Sequence, residues 1–460
     1  MRLSFLAILF LVFGFSSEAQ RFIQIGTTSV KVDTLITGID VPWEIKYASN
    51  NQLWLTERRG RISRVDLNTS QRKVVLNHVS SVIQQSESGM LGLTLHPQFP
   101  DTPFVYVAYT YSSQGSIGER ISRFSYANDS LVDEYFLLNN LPGNGTHNGC
   151  RLLILEDKTM LITTGDVQNL SLPQDTFSLM GKVLRLHLDG SIPADNPFNN
   201  PVYSIGHRNA QGMALLPNDS VVLSEHGATT DDELHLLYKG RNYGWPSVEG
   251  FCNTPTEQTF CYNNQVVEPL VAYTPTLGPS DIIYYTNRYF PEWDSCVLMT
   301  VLKDKEVRAI KLNSQYNSVV SDVSYLKNMF GRLRDIEVGP NKEIYIATNG
   351  TSWANTDPNT HTILRLTPPS DTSANSISDV DDESMYGLYP NPTSNEVFIN
   401  FLSKNLVQIE VYNTLGVLVD KLNELNQNKV DVSRLSNGVY HFSFLHEDGK
   451  RVNRRLIVSR

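Results

Sequence analysis

"NNQLWLTERRGRISRVD", residues 50–66, sets an apolar run against a charged turn at Arg58–Gly60 and then a second run in which apolar and polar side chains alternate. Alternation with a period of two marks a strand with one buried face, and a polar turn with glycine between two such runs marks a hairpin. The second half of the phrase recurs as "RISRFSY" from Arg120, "KVLRLHLD" from Lys182, "ELHLLYKG" from Glu233, "EVRAIKL" from Glu306 and "TILRLTPP" from Thr362. The first half recurs before several of them, as "DKTMLITTGD", "NDSVVLSEHG" and "NKEIYIATNG". Repeats about 50 to 75 residues apart predict four-stranded blades, and their number predicts an all-β, six-bladed β-propeller over residues 35–367. Long amphipathic helices are missing from the pattern.

Both ends of the chain differ from this repeat. Residues 1–20, "MRLSFLAILFLVFGFSSEAQ", carry an early basic residue, a short apolar run and a small-residue exit, the pattern of a secretory signal peptide. Residues 368–387 are rich in Ser and Asp without apolar periodicity and read as a linker. Residues 388–460 hold at least five short strand patterns, expected to form a small C-terminal β-sandwich.

The formal net charge of -10 leaves no basic stripe for a nucleic-acid partner. No later stretch is long and apolar enough for a transmembrane segment. Of four cysteines, Cys252 and Cys261 flank a short polar loop and are expected to bridge in an oxidising compartment, while Cys150 and Cys296 stand in or beside apolar strands and are expected to be buried.

Chemistry-bearing residues gather in polar islands at strand ends. "GTHNGC" places His147 just before a strand that is followed by a second one ending on Asp166. No second pair of His or Cys ligands at close spacing accompanies it, which argues against zinc, and Cys150 leads straight into "RLLIL", which argues against a nucleophile. "GHRNAQG" offers Arg208 and Asn209, "SEHGATTDDE" offers glycine followed by three acids, and "GRLRD" sets Arg332 and Arg334 on one face if extended. Lys303 follows an apolar strand.

In this order the islands, with "VPWEIKY", "ESGMLGLTLHPQFP", "HNGCRLLI", "GKVLRLHLDGSIPADNPF" and "NYGWP", resemble the soluble quinoprotein glucose/sorbosone dehydrogenase family. The resemblance implies a propeller holding pyrroloquinoline quinone (PQQ) and calcium at one mouth and oxidising an aldose sugar or related polyol. It implies His147 as proton acceptor, Asp166 as the carboxylate that orients it, and Arg208 as the cation facing the reducible quinone oxygen. Asn209, Lys303, Arg332, Arg334 and Thr276 match cofactor-binding positions, and Glu87 a position facing the sugar. Carbonyls of Gly227 and Ala228 match calcium ligands, and Glu233 and Tyr243 match a second, structural calcium site. The chain departs from the family in having Thr274 where a tryptophan stacks on the cofactor in many members, and Ala228 where proline is common. A non-enzymatic propeller that binds glycans or protein, and a calcium-dependent lactonase-type hydrolase, remain open at this stage. The electron acceptor is not legible.

"YPNP" at 389–392, "VYNTLG" at 411–416, "LSNGVYHFSF" at 435–444 and "GKRVNRRLIV" at 449–458 resemble the type IX secretion C-terminal sorting domain of Bacteroidota. That resemblance implies the type IX secretion machinery as partner and an extracellular or surface-attached destination.

Overall fold

The computed structural model describes residues 21–352 and 360–367, and then 388–389, 391, 393–399, 406–413, 416–422, 429–446 and 451–460. The expected signal peptide and linker lie outside the described residues. The chain divides into two compact units, 1–370 and 371–460.

The first unit is a six-bladed β-propeller. Its first blade consists of strands Pro42–Ala48, Gln52–Glu57, Arg61–Asp66 and Arg72–Asn77, paired antiparallel in chain order. The second to fifth blades repeat this order, with first strands Met90–Leu95, Gly149–Ile154, Ala210–Leu215 and Pro279–Tyr285. The repeated "RISRVD"-like phrase falls on the third strand of every blade, and the apolar run before it on the second. Second strands such as Thr159–Thr164 and Cys296–Val301 are buried along their whole length, because each is covered by a neighbouring blade on both faces. This is why they read as nearly continuous apolar runs while outer strands such as Val319–Tyr325 do not.

The sixth blade is composite. Leu333–Val338, Ile344–Thr348 and Ile363–Thr367 are joined by Thr28–Ile36, which pairs with the last of them, and by Arg21–Ile25 on the outer edge. The propeller therefore begins at the first described residues and not at 35. The early strands bury Ile23, Ile25, Val30 and Val32 in alternation and then Leu35 and Ile36 together, a pattern that does not repeat the "RISRVD" phrase. The ring is closed by hydrogen bonds of the sixth sheet and by packing of the first strands, with the Ile45 amide donating to Asp335 Oδ1 at 3.2 Å.

Charged side chains fill the ring's interior. Arg151, 1% exposed, reaches Glu44, Asp335 Oδ2 at 2.7 Å and Asp281 Oδ1 at 3.3 Å, and its Nε donates to the Gln211 carbonyl at 2.7 Å. Its guanidinium also lies 4.5 Å from the centre of the Trp43 ring. These partners come from the first strands of the first, fourth, fifth and sixth blades. Burial opposes the Arg151 charge, but the three carboxylates outweigh it and hold the guanidinium protonated.

One helix, Pro255–Asn264, is described in the first unit; it follows a Thr254 capping box and buries none of its residues. The Cys252–Cys261 disulfide ties the segment just before the helix to its body. Cys150 and Cys296 are buried free thiols.

The second unit pairs Leu388–Tyr389, Glu396–Ile399 and Lys429–Asp431 in one sheet and Leu418–Leu422, Leu406–Asn413, Gly438–His446 and Arg451–Val458 in another. Val397, Ile399 and Val430 of the first sheet meet Ile409, Phe442, Phe444 and Leu456 of the second in one core, the packing of a β-sandwich. Because each unit has its own core, a chain ending at residue 370 is expected to unfold within about 2 °C of the propeller transition of the full chain. Scanning calorimetry checks this, and a drop of more than about 5 °C would mean that the two unfold as one.

Candidate active site

Every candidate residue at the mouth lies in one of two kinds of segment. Glu87, His147, Arg208, Asn209, Thr276, Arg332 and Arg334 enter or begin a first strand, and Asp166, Gly227, Ala228 and Lys303 follow a second strand. Antiparallel order brings both kinds of segment to the same end of each blade, so residues scattered over most of the chain converge. A cavity of about 240 Å³ there is lined by Glu87, His147, Arg208, Asn209, Thr276 and Lys303, by Gly227 and Ala228, and by Arg332 and Arg334.

His147 is held from behind. Its Nδ1 lies 2.8 Å from Asp166 Oδ1, and its amide donates to Glu87 Oε2 at 3.1 Å. The backbone at His147 is left-handed, with φ 56°, and Gly165 approaches so closely that an added Cβ would lie 1.9 Å from the His147 carbonyl oxygen. Only glycine before Asp166 permits this approach. Asp166 is 1% exposed and outside the cavity lining; Oδ1 also accepts from the Gln168 amide at 2.8 Å, and Oδ2 from the Trp245 indole at 2.9 Å. Burial alone raises its pKa, but the bonds from His147, Gln168 and Trp245 prevail and hold the carboxyl below its usual range. The tautomer that donates from Nδ1 to this carboxylate leaves Nε2 as the acceptor atom of the ring.

Cations gather around the same cavity. Arg334, 3% exposed, donates to Gln211 Oε1 at 2.7 Å and Ser280 Oγ at 3.2 Å. Burial first, then the neighbouring Arg332 and Arg58, pull its pKa down to about 9. Arg332 is lowered mainly by burial as well. Lys303 is exposed at the rim and donates to Thr276 Oγ1 at 2.8 Å. Arg208 lies 5.3 Å from the Trp245 ring centre and donates to the His226 carbonyl at 3.2 Å, and its amide donates to Glu225. Asn209 Oδ1 accepts from the Gly149 amide at 3.1 Å, which leaves its NH2 end for the cavity.

Two buried nitrogens here, Arg208 Nε and His226 Nε2, find no hydrogen-bond partner among the described residues. Buried polar atoms usually find a partner, in water, an ion or a ligand, and these two border the cavity. Four cations and two unfilled nitrogens around one cavity fit a planar polycarboxylate such as PQQ. The Gly227–Ala228 turn is fixed by Asp232, whose Oδ1 accepts from the Gly227 amide at 2.8 Å and whose Oδ2 accepts from the Gly278 amide at 2.7 Å. A Cβ on Gly227 would lie 1.9 Å from the Thr230 carbonyl oxygen, so the turn is set by glycine and Asp232 without help from a proline at 228. Its carbonyls are the hard oxygen donors calcium takes.

The placements of Tyr243 and Thr274 differ from expectation. The side chain of Tyr243 does not join the Glu233 carboxylate: its hydroxyl donates to the Leu236 carbonyl at 2.8 Å and accepts from the Tyr238 amide at 2.7 Å, while its ring stacks on His207. Glu233 instead neighbours Glu225 and His235, their ligand atoms all within 4.8 Å of one another, away from the cavity lining. Thr274 is not in the lining either; its hydroxyl donates to Asp231 Oδ1 at 2.6 Å, and Thr276 is the threonine at the cavity. Asp232, one of the three acids noted in "SEHGATTDDE", also lines the cavity, and Gln211, His226, Gly278 and Leu302 complete the lining without having been singled out by sequence. For Gln211 and His226 a signal existed, since each is one or two residues from a candidate on the same segment.

Residues 39–354 match the glucose/sorbosone dehydrogenase family and residues 387–459 the secretion system C-terminal sorting domain. Quinoprotein glucose dehydrogenase B of Acinetobacter calcoaceticus is 29% identical over 404 residues, covering 68% of this chain and 84% of that protein. Aldose sugar dehydrogenase YliI of Escherichia coli is 27% identical, covering 70% and 91%. The structure of the PQQ-bound aldose sugar dehydrogenase of Streptomyces coelicolor superposes with a TM-score of 0.64 at 29% identity, covering 76% and 99%. With more than half its length matched, and with quinoprotein sugar dehydrogenases among its relatives, the chain belongs to the glucose/sorbosone dehydrogenase family and carries a type IX sorting domain at its end.

Proposed function

We propose that this protein is an exported PQQ- and calcium-dependent oxidoreductase that oxidises an aldose sugar or related polyol. The observation that carries the reading is the His147–Asp166 pair, 2.8 Å apart, facing a cavity walled by Arg208, Arg332 and Arg334. PQQ, when bound, supplies the two-electron acceptor for the hydride that leaves the sugar carbon. The chain's own residues do the rest. His147 Nε2 accepts the hydroxyl proton, and Asp166 stabilises the resulting imidazolium without taking the proton itself. Arg208 offers a preorganised cation to an oxygen on which negative charge grows. Arg332, Arg334, Lys303, Thr276 and Asn209 bind and orient the cofactor, the carbonyls of Gly227 and Ala228 hold calcium, and Glu87 faces the sugar.

Reconstitution of the apoprotein with PQQ and calcium, followed by spectra before and after a panel of sugars, tests this. Bleaching of the oxidised-quinone spectrum by one or more aldoses is expected, and no change with any sugar would overturn the reading. His147→Ala should lower kcat by about a hundredfold or more while cofactor affinity stays within a few fold. Chelation of calcium should abolish activity, restored only when calcium is returned together with PQQ. Deletion of residues 388–460 should leave the protein in the periplasm of its host, as expected of a sorting domain.

A further inference from the structure

Trp245 belongs to "NYGWP", a segment in the long connection between the third and fourth strands of the fourth blade. The segment bends back to the mouth: the Trp245 amide donates to the Gly206 carbonyl at 3.0 Å, and Gln174 Nε2 donates to the Trp245 carbonyl at 2.7 Å. The indole is thus clamped between the loop after Asp166 and the entry to Arg208. Its N–H donates to Asp166 Oδ2 at 2.9 Å, and the Arg208 guanidinium lies 5.3 Å from its ring centre.

We propose that Trp245 is a positioning residue that sets the basicity of His147 through Asp166 and holds Arg208 in register with it. The inference rests on the dehydrogenase reading for its kinetic consequence but not for its structural one. The two oxygens of Asp166 divide their work: Oδ1 meets His147 and the Gln168 amide, and Oδ2 meets the indole. A donor on Oδ2 withdraws charge from the carboxylate and weakens it as a partner for imidazolium. Without that donor the carboxylate holds imidazolium more tightly, so His147 stays protonated to higher pH. Glu87, Arg208 and His226 also face His147, with Arg332 and Arg334 lining the same cavity, and exchanging the indole for another ring changes none of them.

Trp245→Phe removes the N–H and keeps a ring beneath Arg208. In the full chain loaded with PQQ and calcium, the acidic limb of the kcat/KM profile should move upward by roughly half to one pH unit, with kcat about tenfold lower. The dissociation constant of PQQ, by calorimetry, should stay within about threefold. In the apoprotein, the histidine NMR titration of His147 should show the same upward move, which separates failure of this inference from failure of the dehydrogenase reading. In the wild type, the Trp245 indole N–H resonance should shift with the midpoint of the His147 titration, a measurement that needs no variant to fold. An unmoved acidic limb, an unmoved His147 midpoint or a pH-invariant indole resonance would each overturn the proposal.

Discussion

Arg334→Met is expected to weaken PQQ binding by roughly thirty-fold to several thousand-fold, the equivalent of about 2 to 5 kcal/mol for a buried charged partner removed from a desolvated contact. The physical ground is the state of the side chain before any ligand arrives. Arg334 is buried with neutral acceptors, Gln211 and Ser280, and with Arg332 and Arg58 near enough to depress its pKa. A cation held in this way is a standing cost to the fold, and a carboxylate relieves it on binding. Lys303 is the control: it is exposed at the rim, so Lys303→Met should weaken binding far less, by about tenfold or under. Calorimetric titration with calcium present reads both. An Arg334→Met protein binding within threefold of wild type would remove Arg334 from the cofactor site.

The second large effect is on stability. Arg151→Met should lower the free energy of unfolding by about 3 to 5 kcal/mol at neutral pH, because it leaves Glu44, Asp281 and Asp335 buried together with only Lys46, which is 2.9 Å from Glu44, as a nearby cation among the described residues. Burial already lifts the carboxyls of Asp335 and Asp281 above the usual range. A carboxyl whose pKa is raised on folding favours the folded state more as pH falls through that raised value. The deficit of the variant should therefore shrink between pH 8 and pH 5, the opposite of ordinary acid destabilisation. Urea unfolding across that range is the check, and a deficit below about 1 kcal/mol at pH 7.5 would show the carboxylates compensated by other means.

The fold was legible where one physical rule acts on a short stretch. Third strands alternate because one face is more solvated than the other, and second strands are apolar throughout because blades cover both faces, so the repeat around "RISRVD" identified the blades. The strands at Arg21–Ile25 and Thr28–Ile36 alternate only in part, since Leu35 and Ile36 are both buried, and nothing local says that they close the sixth blade. Candidate site residues were legible where resemblance and local chemistry met, as at His147 and Arg208. Trp245 was quoted as part of a phrase but given no role, because its role depends on a carboxylate 79 positions away. Tyr243 illustrates the converse: the resemblance matches it to a calcium site, while packing turns its hydroxyl to the Leu236 carbonyl.

The composite sixth blade has a kinetic consequence. Arg365 and Asp33, whose side chains lie 3.3 Å apart across that sheet, are separated by 332 residues of chain. Five blades are built from sequence neighbours and can form as each is synthesised, but the ring cannot close until its last strand exists. The first two strands, Arg21–Ile25 and Thr28–Ile36, can pair with each other early but must wait for Ile363–Thr367 before they join their blade, so closure should be the slow step of folding. Once made, the same seam has to part before the blades can peel away one after another, so pairs such as Val32 with Leu366 should act chiefly on the unfolding rate and the lifetime of the native state.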